Sequence, residues 1–460
     1  MVEAVFIFVY AALALLLLTR RGIYTVLALL LYLVVYDFMF LNLEAFLERP
    51  LIAAKTFSEV LIVASLVTVF VIQIRSRRWT RLDFAVMGAL AVLTSTGLAF
   101  AGSEVLAALE DYRVLLAPLL LAALLSLAVR PDPTAARKLR RFLLALGALV
   151  IVIGVVQFLS YDGDMTSVWR HDFLLELKLE QDPDYQPRML QYQIVRGDHL
   201  RASSIFISAI QFSIFSAFIG VYAFIAWLFL RHPVHLLTWL LSLVGVTVSQ
   251  VRVGFIVVAL GMVLAVLLGF RSRLVRLAAM LVPAFAIVAI FGYVVIGGGL
   301  NDPSTLGRIP QYEQMFREFT LSGGGFGSYK GRFDSFVIYS ALTLGAGFAL
   351  LLSAMVLIAV RLERVDRAAK AAGLHPESVI LTRFALVQLL VALVVFTIHH
   401  TAGSVTYFLV FLVAMLAARV SHAHLEPRAA AAPLASDESG RDPKTINPRA
   451  RTGTPEPGHS

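Results

Sequence analysis

Long apolar runs separated by short polar connections make up most of the chain. They fall at about 3–18, 22–41, 51–73, 84–100, 113–129, 142–160, 203–230, 235–249, 253–270, 277–297, 335–360, 379–398 and 404–418. Their lengths match the roughly 17–25 residues that carry an α-helix across a bilayer, so the pattern predicts an all-α, polytopic helical membrane protein of about 12–13 transmembrane helices. The polar interruptions divide the chain into N-terminal helices over 1–160, a first large loop over 161–202 and central helices over 203–297. A second large loop follows over 298–334, then C-terminal helices over 335–420 and a tail over 421–460. The tail is rich in Ala, Pro, Arg and small polar residues and too poor in large apolar groups to fold alone, which predicts disorder.

Composition agrees with the pattern. Hydrophobic residues make up 59% of the chain and charged ones only 15%, with a mean hydropathy of +0.82, which excludes an ordinary soluble domain. There is no cysteine, so disulfides, thiol nucleophiles and Cys-ligated metals are excluded. The first run ends in Arg20-Arg21, whereas a cleaved signal peptide carries its charge before the run, so the segment reads as a retained span.

A net charge of +9 could suit nucleic acid, but the placement of the cations points elsewhere. Every second connection is basic: Arg20-Arg21; Arg75 to Arg81; Arg130 to Arg141; Arg231; Arg271 to Arg276; and Arg361 to Lys370. By the positive-inside rule these loops are cytoplasmic, which puts the N-terminus outside and the tail inside. The charge thus serves topology, and no nucleic-acid partner is expected. Both large loops then lie on the outer face, where a polytopic enzyme would keep its site.

In the first large loop, Phe173, Leu174 and Leu177 recur at helical spacing near Trp169, which predicts a helix lying in the interface. The loop re-enters the membrane through Arg201-Ala-Ser-Ser-Ile-Phe206, so Arg201 sits at the outer mouth of a span. Arg252 stands between two apolar runs with no charged residue nearer than Arg231 and Arg271. A guanidinium at membrane depth costs from about 2.5 kcal/mol upward, so it needs a partner or a ligand. At the outer ends of its two spans it is a candidate anion binder.

The second large loop carries Ser304 or Thr305 as a cap for a short helix with Arg308 on its first turn. It continues through Gly323, Gly324, Gly325 and Gly327, which let backbone amides approach a ligand, or simply make a flexible linker. Lys330, Arg332 and Asp334 follow. This cluster lacks the strand and the Lys-Ser/Thr pair of a nucleotide-binding phosphate loop. Four charges within or beside the runs have structural readings. Lys55 and Glu59, four apart, neutralise each other; Arg383 snorkels back to the cytoplasmic surface; Arg113 pairs with Glu110 and Asp111.

Taken in order, Arg201-Ala-Ser-Ser-Ile-Phe206, Ser249-Gln-Val-Arg252, Ser304-Thr-Leu-Gly-Arg308, Leu321-Ser-Gly-Gly-Gly-Phe-Gly327 and Asp334-Ser-Phe336 resemble the O-antigen ligase and O-antigen polymerase superfamily. The resemblance covers about residues 195–360 and rests on the order and shared outward placement of short motifs. It implies transfer of a glycan from a polyprenyl-diphosphate donor, such as undecaprenyl diphosphate, to an acceptor sugar at the periplasmic face of a bacterial inner membrane. No nucleotide sugar, cofactor or essential metal is implied. Ligase members place a histidine, usually followed by asparagine, where this chain has Asp334-Ser335, and that departure favours a polymerase. Partners would be the lipid-linked donor and acceptor, membrane lipid, and a flippase or chain-length regulator of the same pathway.

The residues fit that chemistry on physical grounds. A departing diphosphate must be neutralised, and arginines stay charged and fork onto two phosphate oxygens, which suits Arg201, Arg252 and Arg308. For the base that orients the acceptor hydroxyl, Asp334, His399 and His400 are the candidates. Their structural alternatives are pairing of Asp334 with Lys330 or Arg332, and helix capping by the histidines. A ligase differs only in its acceptor. A transporter or flippase of a lipid-linked or anionic solute would require matched broken helices in two repeats, which the sequence does not display.

Overall fold

The computed structural model describes residues 11–12, 15, 22–47, 64, 67–68, 71, 81–101, 105–129, 133–164, 175, 179, 194–196, 198–296, 309–329, 333, 335–371, 373, 375–399 and 404–431. Among them helix dominates: α1 (Ile23–Leu47), α2 (Arg81–Ala99), α3 (Val105–Leu115), α4 (Ala117–Ala128), α5 (Pro133–Leu159), α6 (Ala209–Leu230) and α7 (Pro233–Ser249). After these come α8 (Arg252–Leu267), α9 (Arg273–Ile296), α10 (Ile309–Glu318), α11 (Phe336–Leu344), α12 (Gly347–Ala371), α13 (Pro376–Ile398) and α14 (Val405–Ala431). The strands among the described residues form one hairpin, β1 (Val195–Arg196) with antiparallel β2 (His199–Leu200). Three described helices, α5, α6 and α13, are long and apolar enough to cross a membrane. The protein is all-α, with apolar helices of the kind that membranes select.

The bundle is built around α13. Its apolar residues occur on all sides, and the whole of its spanning stretch is buried, as expected of a helix surrounded by others. Its neighbours include α12, α14, α8, α6, α9 and α5. On α6, Tyr222 stacks on Phe384 of α13 with ring centroids 3.9 Å apart. Small residues let three further helices close on α6: Gly147 of α5 faces Ile219, Gly245 of α7 faces Ser216, and Gly261 of α8 faces Val221. Close approach through small residues is how helices gain van der Waals contact where lipid removes the hydrophobic drive.

Several elements differ from the hydropathy pattern. The apolar run over 113–129 is two helices, α3 and α4, broken at Leu116 with a proline just inside α4. The run over 335–360 is likewise two, α11 and α12, separated at Gly345 and Ala346. Helix α6 starts at Ala209, after an irregular stretch in which Ser204 has φ 52° and Ser208 caps the helix by accepting from the Gln211 amide. Helices also outrun their apolar stretches, because hydropathy registers the thickness of lipid and not the end of the backbone ladder. Thus α5 begins at Pro133, α12 continues to Ala371, and α14 runs to Ala431, making helix of residues expected to open the tail. Lys55, Glu59 and the interface helix near Trp169 lie outside the described residues, apart from isolated positions of the latter.

At the end of the bundle where α5 starts, buried arginines are matched to carboxylates. Arg140 forks onto Glu377 at 2.8 and 2.7 Å and reaches His235 at 3.0 Å. Arg276 bonds to Glu363 at 3.0 Å, to Asp366 at 2.7 Å and to the Leu268 carbonyl at 2.8 Å. Arg383, only 2% exposed, forks onto the same Asp366 at 3.1 and 2.9 Å. This overturns its expected snorkelling. The guanidinium stays inside because α12 carries Asp366 past the end of its apolar run, and a buried ion pair is held when each charge finds its partner. Arg419 of α14 pairs with Asp83 of α2 at 3.3 Å.

Candidate functional site

The opposite end holds Arg201, Arg252 and His399, and its framework is built from backbone and side-chain hydrogen bonds together. The last turns of α5 organise the stretch before α6: the Gln157 side-chain oxygen accepts the amides of Ser203 at 3.0 Å and Ser204 at 2.9 Å. The Ser204 hydroxyl donates to the Val150 carbonyl at 2.6 Å. Next to it, the Arg201 amide donates to the Ile194 carbonyl at 2.7 Å, and the Ala202 amide to the Val248 carbonyl at 3.1 Å. That last bond ties the segment carrying Arg201 to the end of α7. From there the chain passes through Gln250, with φ 52°, to Arg252, the first residue of α8. The Ser213 hydroxyl of α6 donates to the Val251 carbonyl at 3.4 Å and fixes the link.

Arg201 and Arg252 are therefore brought to adjoining segments at one end of the bundle. Arg252 is exposed, and the Val251 side chain before it offers no cap. Cations weaken a helix N-terminus, whereas an anion there meets both the helix dipole and the guanidinium. Arg308 lies outside the described residues, as do Lys330, Arg332, Asp334 and His400. A short helix, α10, begins at Ile309, while Ser304 and Thr305, the expected caps, lie outside the described residues with Arg308. The Tyr312 hydroxyl of α10 donates to the Thr397 carbonyl at 2.8 Å, which seats α10 beside the end of α13. His399 terminates α13: its amide donates to the Val395 carbonyl at 2.8 Å, and its side chain is half-buried. Ser335 caps α11 by accepting from the Ile338 amide and donates its hydroxyl proton to the Phe396 carbonyl at 3.2 Å.

The glycine segment departs from the expected ligand cradle. The Gly324 amide donates to Leu342 at 2.8 Å and the Gly325 amide to Thr343 at 3.0 Å, satisfying the carbonyls that the end of α11 leaves open. Gly323 donates to Thr320, Phe326 to Gly97 at 3.1 Å, and Gly327 to the Asp111 carboxylate. The amides of Gly323, Gly324, Gly325 and Gly327 are thus engaged by the protein itself. Glycine is required because backbone meets backbone: Gly325 has φ 76°, and a Cβ there would overlap the Phe100 carbonyl. The segment inserts between α2, α3 and α11, with Phe326 fully buried and edge-on to Tyr112 at 5.9 Å.

Asp111 was read from the sequence as a partner for Arg113. Instead it is 1% exposed and holds two separate elements, accepting from the Gly327 amide and from the Tyr339 hydroxyl of α11. Sequence reasoning missed Asp111 and Tyr339 in this role, together with Gln157 and Tyr312. For Asp111, Tyr339 and Gln157 the signal was a polar side chain inside or at the edge of an apolar run, which must be hydrogen-bonded when buried; Tyr312, inside the second large loop, gave no such signal. Compared with known proteins, the chain matches no family model and no curated sequence.

Proposed function

We propose that the protein is a metal-independent glycosyltransferase that polymerises polyprenyl-diphosphate-linked oligosaccharide units into O-antigen, capsule or exopolysaccharide, as a multi-pass protein of a bacterial inner membrane. In this reading the end bearing Arg201 and Arg252 faces the periplasm and the end with the matched arginines faces the cytoplasm. The observation that carries the reading is the bond between the Ala202 amide and the Val248 carbonyl, which holds the Arg201 segment against the link that presents Arg252 on the first turn of α8. Two arginine-bearing segments that adjoin beside a helix N-terminus suit a diphosphate, and Arg308, just before α10, would join them.

In the reaction the acceptor hydroxyl attacks the anomeric carbon of the donor sugar, and the bond to the diphosphate oxygen breaks. The departing polyprenyl diphosphate takes the bonding electrons, with Arg201, Arg252 and Arg308 stabilising its charge. The hydroxyl proton passes to a base, for which Asp334, His399 and His400 are the candidates. Ala346, Gly324 and Gly325, bonded to the glycine segment or to α11, keep the second large loop in register with the bundle. The O-antigen or protein O-glycosylation ligase differs in acceptor and shares this donor chemistry.

The two broken helices, α3–α4 and α11–α12, favour a second reading as a transporter or flippase of a lipid-linked or anionic solute, since discontinuous helices build substrate sites in such proteins. Against it, the gap beside the α11–α12 break is filled by the buried Phe326 segment, and its amides are consumed. Inner-membrane vesicles supplied with a lipid-linked repeat unit separate the readings. Polymer growth supports the polymerase, transfer to lipid A the ligase, and translocation without a new glycosidic bond the transporter. Arg252→Ala should lower polymer growth about 100-fold or more, the scale of losing one preorganised stabilising donor. Full activity in both Arg201→Ala and Arg252→Ala would sink the leaving-group assignment.

A further inference from the structure

We infer that the end with the matched arginines binds an anionic phospholipid, in a cavity of about 360 Å³ between α9 and α12. The inference is independent of which activity the opposite end carries. The cavity is lined by the ion pair of Arg276 and Glu363, by the apolar Leu277, Met280 and Val360, and by Arg273, Arg364 and Arg367. The charged residues of the lining differ in what remains for a ligand. Arg276 is buried and committed to Glu363, Asp366 and the Leu268 carbonyl. Arg367 bonds to Glu363 at 2.7 Å. Arg273 and Arg364 are exposed and make no ion pair or side-chain hydrogen bond among the described residues.

The lining therefore carries cations beyond what the described local carboxylates balance, whereas Arg140, Arg383 and Arg419 at the same end each have a carboxylate. A phosphodiester fits the surplus, since guanidiniums fork onto phosphate oxygens. The apolar part of the lining decides between a free anion and a lipid. Leu277, Met280 and Val360 would stay in contact with water beneath a soluble phosphate, but would be covered by an acyl chain. The surroundings agree: Leu274, Leu281 and Leu357, on the same two helices, are 77%, 46% and 61% exposed, so the cavity opens among side chains that face hydrocarbon. Basic pockets between helices on the cytoplasmic side are where anionic headgroups are held. A lipid seated there would join α9 to α12 beside the Arg276 ion pairs.

The full-length protein, purified in detergent and given phosphatidylglycerol, phosphatidylcholine or inorganic phosphate, provides the test, read by lipid retention in native mass spectrometry and by the shift in thermal unfolding. Phosphatidylglycerol should be retained and should raise the unfolding temperature, while phosphatidylcholine and phosphate should not. In Arg273→Gln/Arg364→Gln, which removes no ion pair seen among the described residues, phosphatidylglycerol retention should fall about 30-fold, as expected for two juxtamembrane cations. Val360→Trp, which fills the cavity and leaves every arginine in place, should also lose the lipid. Equal retention of phosphatidylglycerol by the wild type and both variants overturns the inference. So does stabilisation by inorganic phosphate equal to that by phosphatidylglycerol, which would make this a free-anion site, or retention of phosphatidylcholine equal to that of phosphatidylglycerol.

Discussion

At one end of the bundle Arg383 is 2% exposed and shares Asp366 with Arg276; at the other, Arg252 is exposed on the first turn of α8, and the buried carboxylate Asp111 accepts from an amide and a hydroxyl. The same residue types serve different ends. Where arginine and carboxylate are buried together, each neutralises the other and the pair fastens two helices, so the guanidinium is committed. At the other end helices and loops are joined by bonds such as Ala202 to Val248 and by the Asp111 carboxylate, and Arg252 lies exposed beside them, within reach of a ligand. A count of arginines cannot distinguish a buried, carboxylate-bound guanidinium from an exposed one; burial can.

The sharpest way to break this contrast is to remove the shared carboxylate. Asp366→Ala leaves Arg276 and Arg383 buried at 3% and 2% exposure with the anion between them gone, and Arg383 with no other carboxylate among its hydrogen-bond partners in the described residues. Losing one partner of a buried pair costs about 3–5 kcal/mol. Thermal unfolding of the purified full-length protein should show a large fall in midpoint, and an unchanged midpoint would mean that these arginines are not held by charge. Next in size is the glycine segment. Asp111→Ala strips the acceptor from the Gly327 amide and the Tyr339 hydroxyl, at about 1–3 kcal/mol for each group left buried and unbonded. Gly325→Ala adds a Cβ against the Phe100 carbonyl at a positive φ and should cost at least about 1–3 kcal/mol. If either variant melts like the wild type, the segment is a loose loop and its amides return as ligand candidates.

How much of this was legible follows from what each signal measures. Apolar runs gave the existence of α5, α6 and α13 because lipid demands such runs, yet they could not place the ends of α5 or α12, whose polar extensions carry Arg140 and Asp366. Arg383 was misread for the same reason: its partner lies past an apolar run, on the preceding helix. The break at Gly345 was hidden because the residues on both sides are apolar. At the site, Arg201 and Arg252 stood out as charges beside apolar runs. The glycine cluster stood out too, but missing side chains signal only that something approaches the backbone, and here it is Phe100, Leu342 and Thr343. Asp111 was opaque because its partners are 216 and 228 residues away along the chain.

At the opposite end the contrast predicts a smaller effect on folding. Arg252→Ala removes an exposed side chain from a helix N-terminus, where a cation is unfavourable, so stability should change by less than about 0.5 kcal/mol. The comparison with Asp366→Ala, made by thermal unfolding of both variants in one detergent, is the informative one. A loss for Arg252→Ala as large as that for Asp366→Ala would make Arg252 another structural arginine.

The smallest effect concerns the charge balance at the matched end. Lys370 lies beyond the apolar part of α12, and its ammonium donates to the Gly269 carbonyl at 3.0 Å. Partial burial lowers its pKa from the ordinary 10.5 to about 8, helped by Arg383, Arg276 and Arg271 and opposed by Asp366. The folded chain therefore releases this proton near pH 8 and the unfolded chain near pH 10.5, so between those values the unfolded state binds more protons and stability rises with pH. Because the side chain is exposed to solvent, the slope should be shallow. Lys370→Met should flatten it in unfolding midpoints measured across that window, relative to the wild type. An unaltered slope would mean that the arginines around Asp366 are balanced closely enough that a neighbouring amine does not register them.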